Sequence, residues 1–165
     1  MNDHLKYDIT DLDRQFMKMA CDLASENVDR GGGPFGAVIV KDGEVIAAAG
    51  NSVAIDNDPT AHAEVNAIRR ACSLTRNFKL DGCVVYCSCE PCPMCLSALY
   101  WAGVSRIYYG STVADADRIN FGDNFICNEI EKPHLERAIP CIHMEGTNAI
   151  EAFNKWATKD DKIEY

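Results

Sequence analysis

Apolar positions along this chain recur first at three- and four-residue spacing, then in short β-branched runs, and the alternation outlines a mixed helix–strand protein. Over residues 8–27, Leu12, Phe16, Met19, Ala20, Leu23 and Ala24 predict a helix with one buried face. Asp8 or Thr10 can cap it, Asp11 and Asp13 suit its first turn, and its apolar face reads as core without chemistry. Val38, Ile39 and Val40 lie in a strand over residues 36–41, Asp42-Gly43 marks a two-residue hairpin turn, and residues 44–49 return antiparallel. A second helix is expected from Asp58, Pro59 and Thr60 to about residue 72, with Asp58 or Thr60 as its cap. A third strand over residues 83–87 feeds a helix that opens around Ser88, Cys89, Glu90 and Pro91 and runs to about residue 102. The fourth strand, residues 106–110, is expected parallel to the third because a helix links them. Residues 111–137 read as an irregular polar stretch with a short helix near 124–131, and residues 140–144 as a weak fifth strand. Ile150, Phe153, Trp156 and Ala157 share a face of a last helix over residues 147–159, followed by a charged tail.

The length of 165 residues fits one domain with a continuous core, and no repeat or linker divides it. No apolar run approaches the roughly 20 residues a bilayer span needs. The polar start, Met1 to Lys6, does not read as a secretory signal. Nine cysteines are an odd number for a disulfide framework, so the thiols read as metal ligands or core filler in a reducing, cytoplasmic setting. Cys21, Cys72, Cys83, Cys127 and Cys141 are expected as small buried hydrophobes. The net charge of −9 repels phosphate backbones, which favours a small-molecule substrate over nucleic acid.

Gly31, Gly33 and Gly36 satisfy G-x-G-x-x-G, but the order is helix, glycines, strand, whereas a dinucleotide loop needs strand, glycines, helix. A tight turn with close backbone approach to a pocket fits these glycines better. The chemistry gathers in two clusters instead. His62 and Glu64 stand two residues apart at one helix start, and Cys92 and Cys95 three apart at another, within Pro91-Cys92-Pro93-Met94-Cys95. One imidazole and two thiolates make three ligands for a tetrahedral Zn²⁺ and leave a fourth position for water, which is a catalytic arrangement. A helix start also favours negative sulfur. Glu64 is placed to handle that water's protons. Cys89 competes in principle, since Cys89 and Cys92 also form C-x-x-C, but a helical first turn fixes the spacing of Cys92 and Cys95. A thioredoxin-like redox pair would explain neither His62 nor Glu64.

With these motifs the chain resembles the cytidine deaminase superfamily of zinc-dependent nucleobase deaminases. Along its whole length it is most similar to bacterial-type guanine deaminases. The stretches that carry this are residues 32–43, 57–65 and 88–95, joined by Phe121-Gly122-Asp123, Phe125-Ile126 and the closing Glu164-Tyr165. The first three are shared with guanosine, tRNA adenosine and cytosine deaminases. The resemblance implies a three-layer α/β/α fold with a five-stranded mixed sheet, and a homodimer whose C-terminal segment, about residues 147–165, crosses to the partner. It implies one Zn²⁺ per subunit and hydrolysis of guanine to xanthine and ammonia with Glu64 as proton shuttle. Asn51 and the Ala63 N–H would hold the ring edge, Phe35 and Trp101 would form apolar walls, and Tyr165 would close the neighbouring pocket. Asp115, or Asp117 two residues on, would read the base. The alternatives are deamination of another aminated ring, of tRNA adenosine, or a zinc module without catalysis.

Overall fold

The computed structural model describes residues 8–164, which divide into two compact units after Asp123. The first unit is built on a sheet of four strands in the order β2-β1-β3-β4, comprising β1 Gly36–Lys41, β2 Glu44–Gly50, β3 Val84–Cys89 and β4 Arg106–Ser111. β1 runs antiparallel to both β2 and β3, and β3 pairs parallel with β4. The hairpin between β1 and β2 puts Asp42 at φ 51° and Gly43 at φ 81°, the left-handed pair that matches the twist of the strands.

Alternation along β1 sends its side chains into two cores. On one face Phe16 and Ala20 of α1 (Asp11–Asp29) pack on Val38, Val40 and Tyr86. On the other, Ala63, Ala67 and Ala71 of α3 (Ala63–Thr75), with Leu99 and Ala102 of α4 (Pro93–Ala102), cover Ala37, Ile39, Ala47 and Ala49. Alanine along α3 allows the helix to lie close to the sheet, and burying Ile39 and Leu99 fully contributes about 1.5–3 kcal/mol each. α1 is pinned at its start by Thr10 and Asp13, whose side chains cap each other's backbone N–H groups. The Tyr86 hydroxyl donates to the same Asp13 carboxylate at 2.6 Å, which ties the helix to the centre of the sheet. These bonds hold the Asp13 carboxyl below its usual range, while burial pushes the Tyr86 hydroxyl up.

Several expectations need correction. Residues 140–144 form no strand, so the sheet of the described residues has four strands and not five. Pro140 lacks an N–H to donate, and no sheet strand pairs with the segment. Helix α3 starts at Ala63, later than expected, because Asp58 spends its carboxylate on the Thr60 N–H (2.8 Å) and hydroxyl (2.7 Å), forming a turn instead of a cap. Two short helices were not foreseen, α2 (Val53–Asp56) and α5 (Val113–Asp117). Of the five cysteines expected in the core, Cys83 is buried and Cys72 half-buried, but Cys21, Cys127 and Cys141 are exposed. Cys21 lies one step off the buried stripe of Phe16, Ala20 and Ala24. Cys127 and Cys141 belong to the second unit, whose helices α6 (Asn124–Glu131) and α7 (Ile150–Ala157) bury no residue. No helix among the described residues is long and apolar enough to cross a membrane.

Candidate active site

Two helices deliver the metal donors from the same structural position. His62 is the N-cap of α3 and Cys92 the N-cap of α4, both in extended backbone conformation. An N-cap side chain ordinarily folds back onto its own helix. His62 makes no such bond, which leaves its ring to face the thiols. Its Nδ1 lies 3.6 Å from Cys92 Sγ and 3.4 Å from Cys95 Sγ, and the three donor atoms all fall within 4.8 Å of one another. Tetrahedral coordination at normal Zn–S and Zn–N bond lengths separates nitrogen and sulfur by about 3.6 Å, so the donors already stand at zinc-binding spacing. The donor chemistry fits too: nitrogen and two sulfurs suit zinc and leave one position open. Cys89 stands outside the cluster, its thiol directed to the Thr112 carbonyl at 3.7 Å.

Electrostatics favour a thiolate at Cys92. A hydrogen bond from Cys95 brings it down to about 4, helped by His62 and by the Cys95 backbone N–H at 3.5 Å. Cys95, fully buried, is pushed up by its neighbour Cys92 and by desolvation, and His62 is raised chiefly by its bond to Cys92. A divalent cation bound by both sulfurs takes them deprotonated, so binding releases protons. Glu64, in the first turn of α3 and 8% exposed, sets Oε2 3.4 Å from Cys95 Sγ. Burial pushes its carboxyl up, toward the range in which a carboxyl can both accept and release a proton near neutral pH.

The remaining candidates are placed unequally. Asn51 is buried just past the end of β2; its Oδ1 accepts from the Val53 N–H at 3.2 Å and its backbone N–H donates to the Phe35 carbonyl at 3.1 Å. Ala63 is the first residue of α3, where a helix leaves N–H groups without intrahelical partners. Phe35 is half-buried and meets Phe121 edge to face, with centroids 5.3 Å apart. Trp101 is 66% exposed in the last turn of α4, about 13 Å along the helix from Cys92. Its carbonyl accepts from Lys79 Nζ at 3.1 Å. Asp115 is committed to capping: its carboxylate takes the Thr112 N–H (2.7 Å) and hydroxyl (2.8 Å) and pairs with Arg118. Tyr165 lies outside the described residues.

Asp123 was not singled out as a base reader. Its Oδ1 is buried without a hydrogen-bond partner. Burial, with the Cys92, Asp117 and Glu90 charges nearby, pushes its carboxyl up. A buried acceptor left unmet costs about 1–3 kcal/mol, so it needs an explanation. The signal was present in Phe121-Gly122-Asp123, where an acidic residue follows an aromatic one that packs on Phe35.

Residues 10–111 match the family model described as the cytidine and deoxycytidylate deaminase zinc-binding region. A guanine deaminase of Bacillus subtilis is 50% identical over 151 residues, covering 91% of this chain and 97% of that protein. The X-ray structure of guanine deaminase from Bacillus subtilis superposes with a TM-score of 0.90 over 92% of this chain and 98% of that one, at 50% identity. A tRNA-specific adenosine deaminase of Aquifex aeolicus is 36% identical over 144 residues, or 87% and 93% of the two chains.

Proposed function

We propose that this chain, which belongs to the family of cytidine and deoxycytidylate deaminase zinc-binding domains, hydrolyses guanine to xanthine and ammonia. It is a zinc-dependent aminohydrolase. The observation that carries the reading is the convergence of His62, Cys92 and Cys95 at zinc-binding spacing beside the buried carboxyl of Glu64. The half-identity to a guanine deaminase across nearly the whole chain selects guanine among aminated rings. The net charge of −9 argues against a polyanionic substrate.

His62, Cys92 and Cys95 would hold the zinc. Bound there, zinc supplies Lewis acidity that lowers the pKa of water to about 7. Glu64 takes a proton from the water that attacks C2 of guanine and gives it to the ring nitrogen. It then takes the second proton from the hydroxyl newly bonded to C2 and passes it to the departing amine as the C–N bond breaks, so one carboxyl acts as base and then as acid. The Ala63 N–H and the Asn51 amide hold the ring edge. Phe35, backed by Phe121, forms an apolar wall. We assign Asp123, not Asp115, as the carboxylate that accepts from the substrate's N–H groups, because its oxygen is buried and unmet whereas Asp115 is spent on Thr112 and Arg118.

The working unit in this reading is a homodimer in the cytoplasm. The nine cysteines carry no disulfide, which suits a reducing compartment. α4 leaves Tyr100 77% and Trp101 66% exposed, and the second unit leaves Ile139 82% and Phe153 73% exposed, apolar side chains that a second copy would cover. Trp101 meets the second copy in this reading, with the C-terminal segment exchanged between subunits.

Ammonia release from guanine, guanosine, adenine, cytosine and a tRNA anticodon stem-loop tests the substrate. Guanine is expected to react at least about 10-fold faster than the others, and Asp123→Asn to lower its kcat/KM by about 10- to 100-fold through loss of a charge-assisted hydrogen bond. Faster deamination of any other substrate in the panel overturns the guanine reading.

A further inference from the structure

The sequence marks α1 as pure core, yet its last buried residue is an asparagine. Asn27 is 7% exposed, and its Nδ2 donates to the carbonyls of Gly33 and Asn51, both at 2.7 Å. Its own carbonyl accepts from the Gly32 N–H at 2.9 Å. The surrounding sequence makes room for this amide. A Cβ on Gly32 would stand 2.2 Å from Asn27 Nδ2, and one on Gly50 2.4 Å from Asn27 Oδ1. From the opposite face of the sheet, Asn66 on α3 shares its Nδ2 among Gly50 O (3.1 Å), Ser52 Oγ (2.9 Å) and Ala61 O (3.2 Å). Residues 50, 51 and 52 are therefore each fastened by an asparagine amide. The Ser52 N–H adds a bond to the Ala61 carbonyl at 2.9 Å, immediately before the metal donor His62.

We propose that Asn27 and Asn66 form a two-sided clamp that sets the aim of Asn51 at the substrate ring relative to His62. The clamp rests on the proposed function, in which Asn51 holds the ring edge. Both are positioning residues: their amides meet protein carbonyls and a hydroxyl, and they act through Asn51. The choice of residue follows from the acceptors. Each clamp must donate to more than one oxygen, which a primary amide does and a carboxylate of the same shape cannot. Catalysis is sensitive to such placement, since a misplacement of about 1 Å can cost on the order of 100-fold.

Asn27→Asp and Asn66→Asp keep the shape and remove the donors. Each is expected to lower kcat/KM for guanine by about 10- to 100-fold while zinc per chain stays at the wild-type level. In an Asn51→Ala background the same changes are expected to cost less than about threefold, because residues that act through one partner are not additive. A general weakening of the fold would cost the same in both backgrounds, and that result overturns the clamp, as does wild-type kcat/KM in the Asp variants. Asn66→Asp, at a half-buried site, carries the test if Asn27→Asp does not fold. An Asn51→Ala protein with unchanged guanine turnover, or a wild-type protein with none, overturns the functional reading and the clamp with it. An impaired Asn51→Ala protein whose losses simply add to those of the clamp variants overturns the clamp alone.

Discussion

Glu64→Gln is expected to reduce guanine turnover by a factor of about 100 to 10,000 while zinc content and melting temperature hold. Glutamine keeps the volume and one hydrogen-bonding oxygen, so the packing of the first turn of α3 survives. What it lacks is a group that can accept a proton and give it back. The position is 8% exposed and its carboxyl is pushed up by burial, so no bulk-water molecule readily substitutes as shuttle. Removing an ionisable group from such a place also removes a desolvation cost, so no loss of stability is expected. Steady-state rates, with zinc measured on the same samples, check this. Retention of more than about a tenth of wild-type turnover would remove Glu64 from the chemistry.

Replacing a sulfur ligand should have a larger effect. Cys95→Ser is expected to leave less than about a tenth of the zinc and no measurable guanine turnover, and Cys92→Ser to behave alike. Cys95 is fully buried and 3.4 Å from His62 Nδ1, so a hydroxyl there is a poor donor with no room to rearrange. Cys89→Ser is the internal control. Its sulfur faces the Thr112 carbonyl outside the donor cluster, and zinc and turnover should stay near wild type. Zinc retained in Cys95→Ser but lost in Cys89→Ser would move the ligand set one turn back along the chain.

The metal donors were legible because short-range spacing determines them. Two residues between Cys92 and Cys95, at a helix start punctuated by Pro91 and Pro93, leave little freedom, and the structure puts Cys92 at the N-cap with Cys95 in the first turn. The β1–β2 hairpin was legible for a similar local reason, since Asp42-Gly43 supports few other turns. The start of α3 was misread because a capping aspartate and a turn-forming one look alike. Only the contact between Asp58 and Thr60 separates them. The capping box of Thr112 and Asp115 was visible as a pattern and explains both the unforeseen α5 and the commitment of the Asp115 carboxylate to Thr112. Asp123 could not be chosen from sequence alone, because its nearness to Cys92 depends on how the chain returns after β4. Asn27 was hidden for the same reason. Its partners, Gly33 and Asn51, lie 6 and 24 residues away, and only the folded sheet brings them to one amide.

The most direct test is a zinc titration of metal-stripped protein, following xanthine formed from guanine. Activity absent after stripping, rising in proportion to added zinc and levelling off at one zinc per chain, is the predicted result. Xanthine formation that persists at full rate with no zinc bound would contradict the assignment of His62, Cys92 and Cys95 as the centre of the reaction.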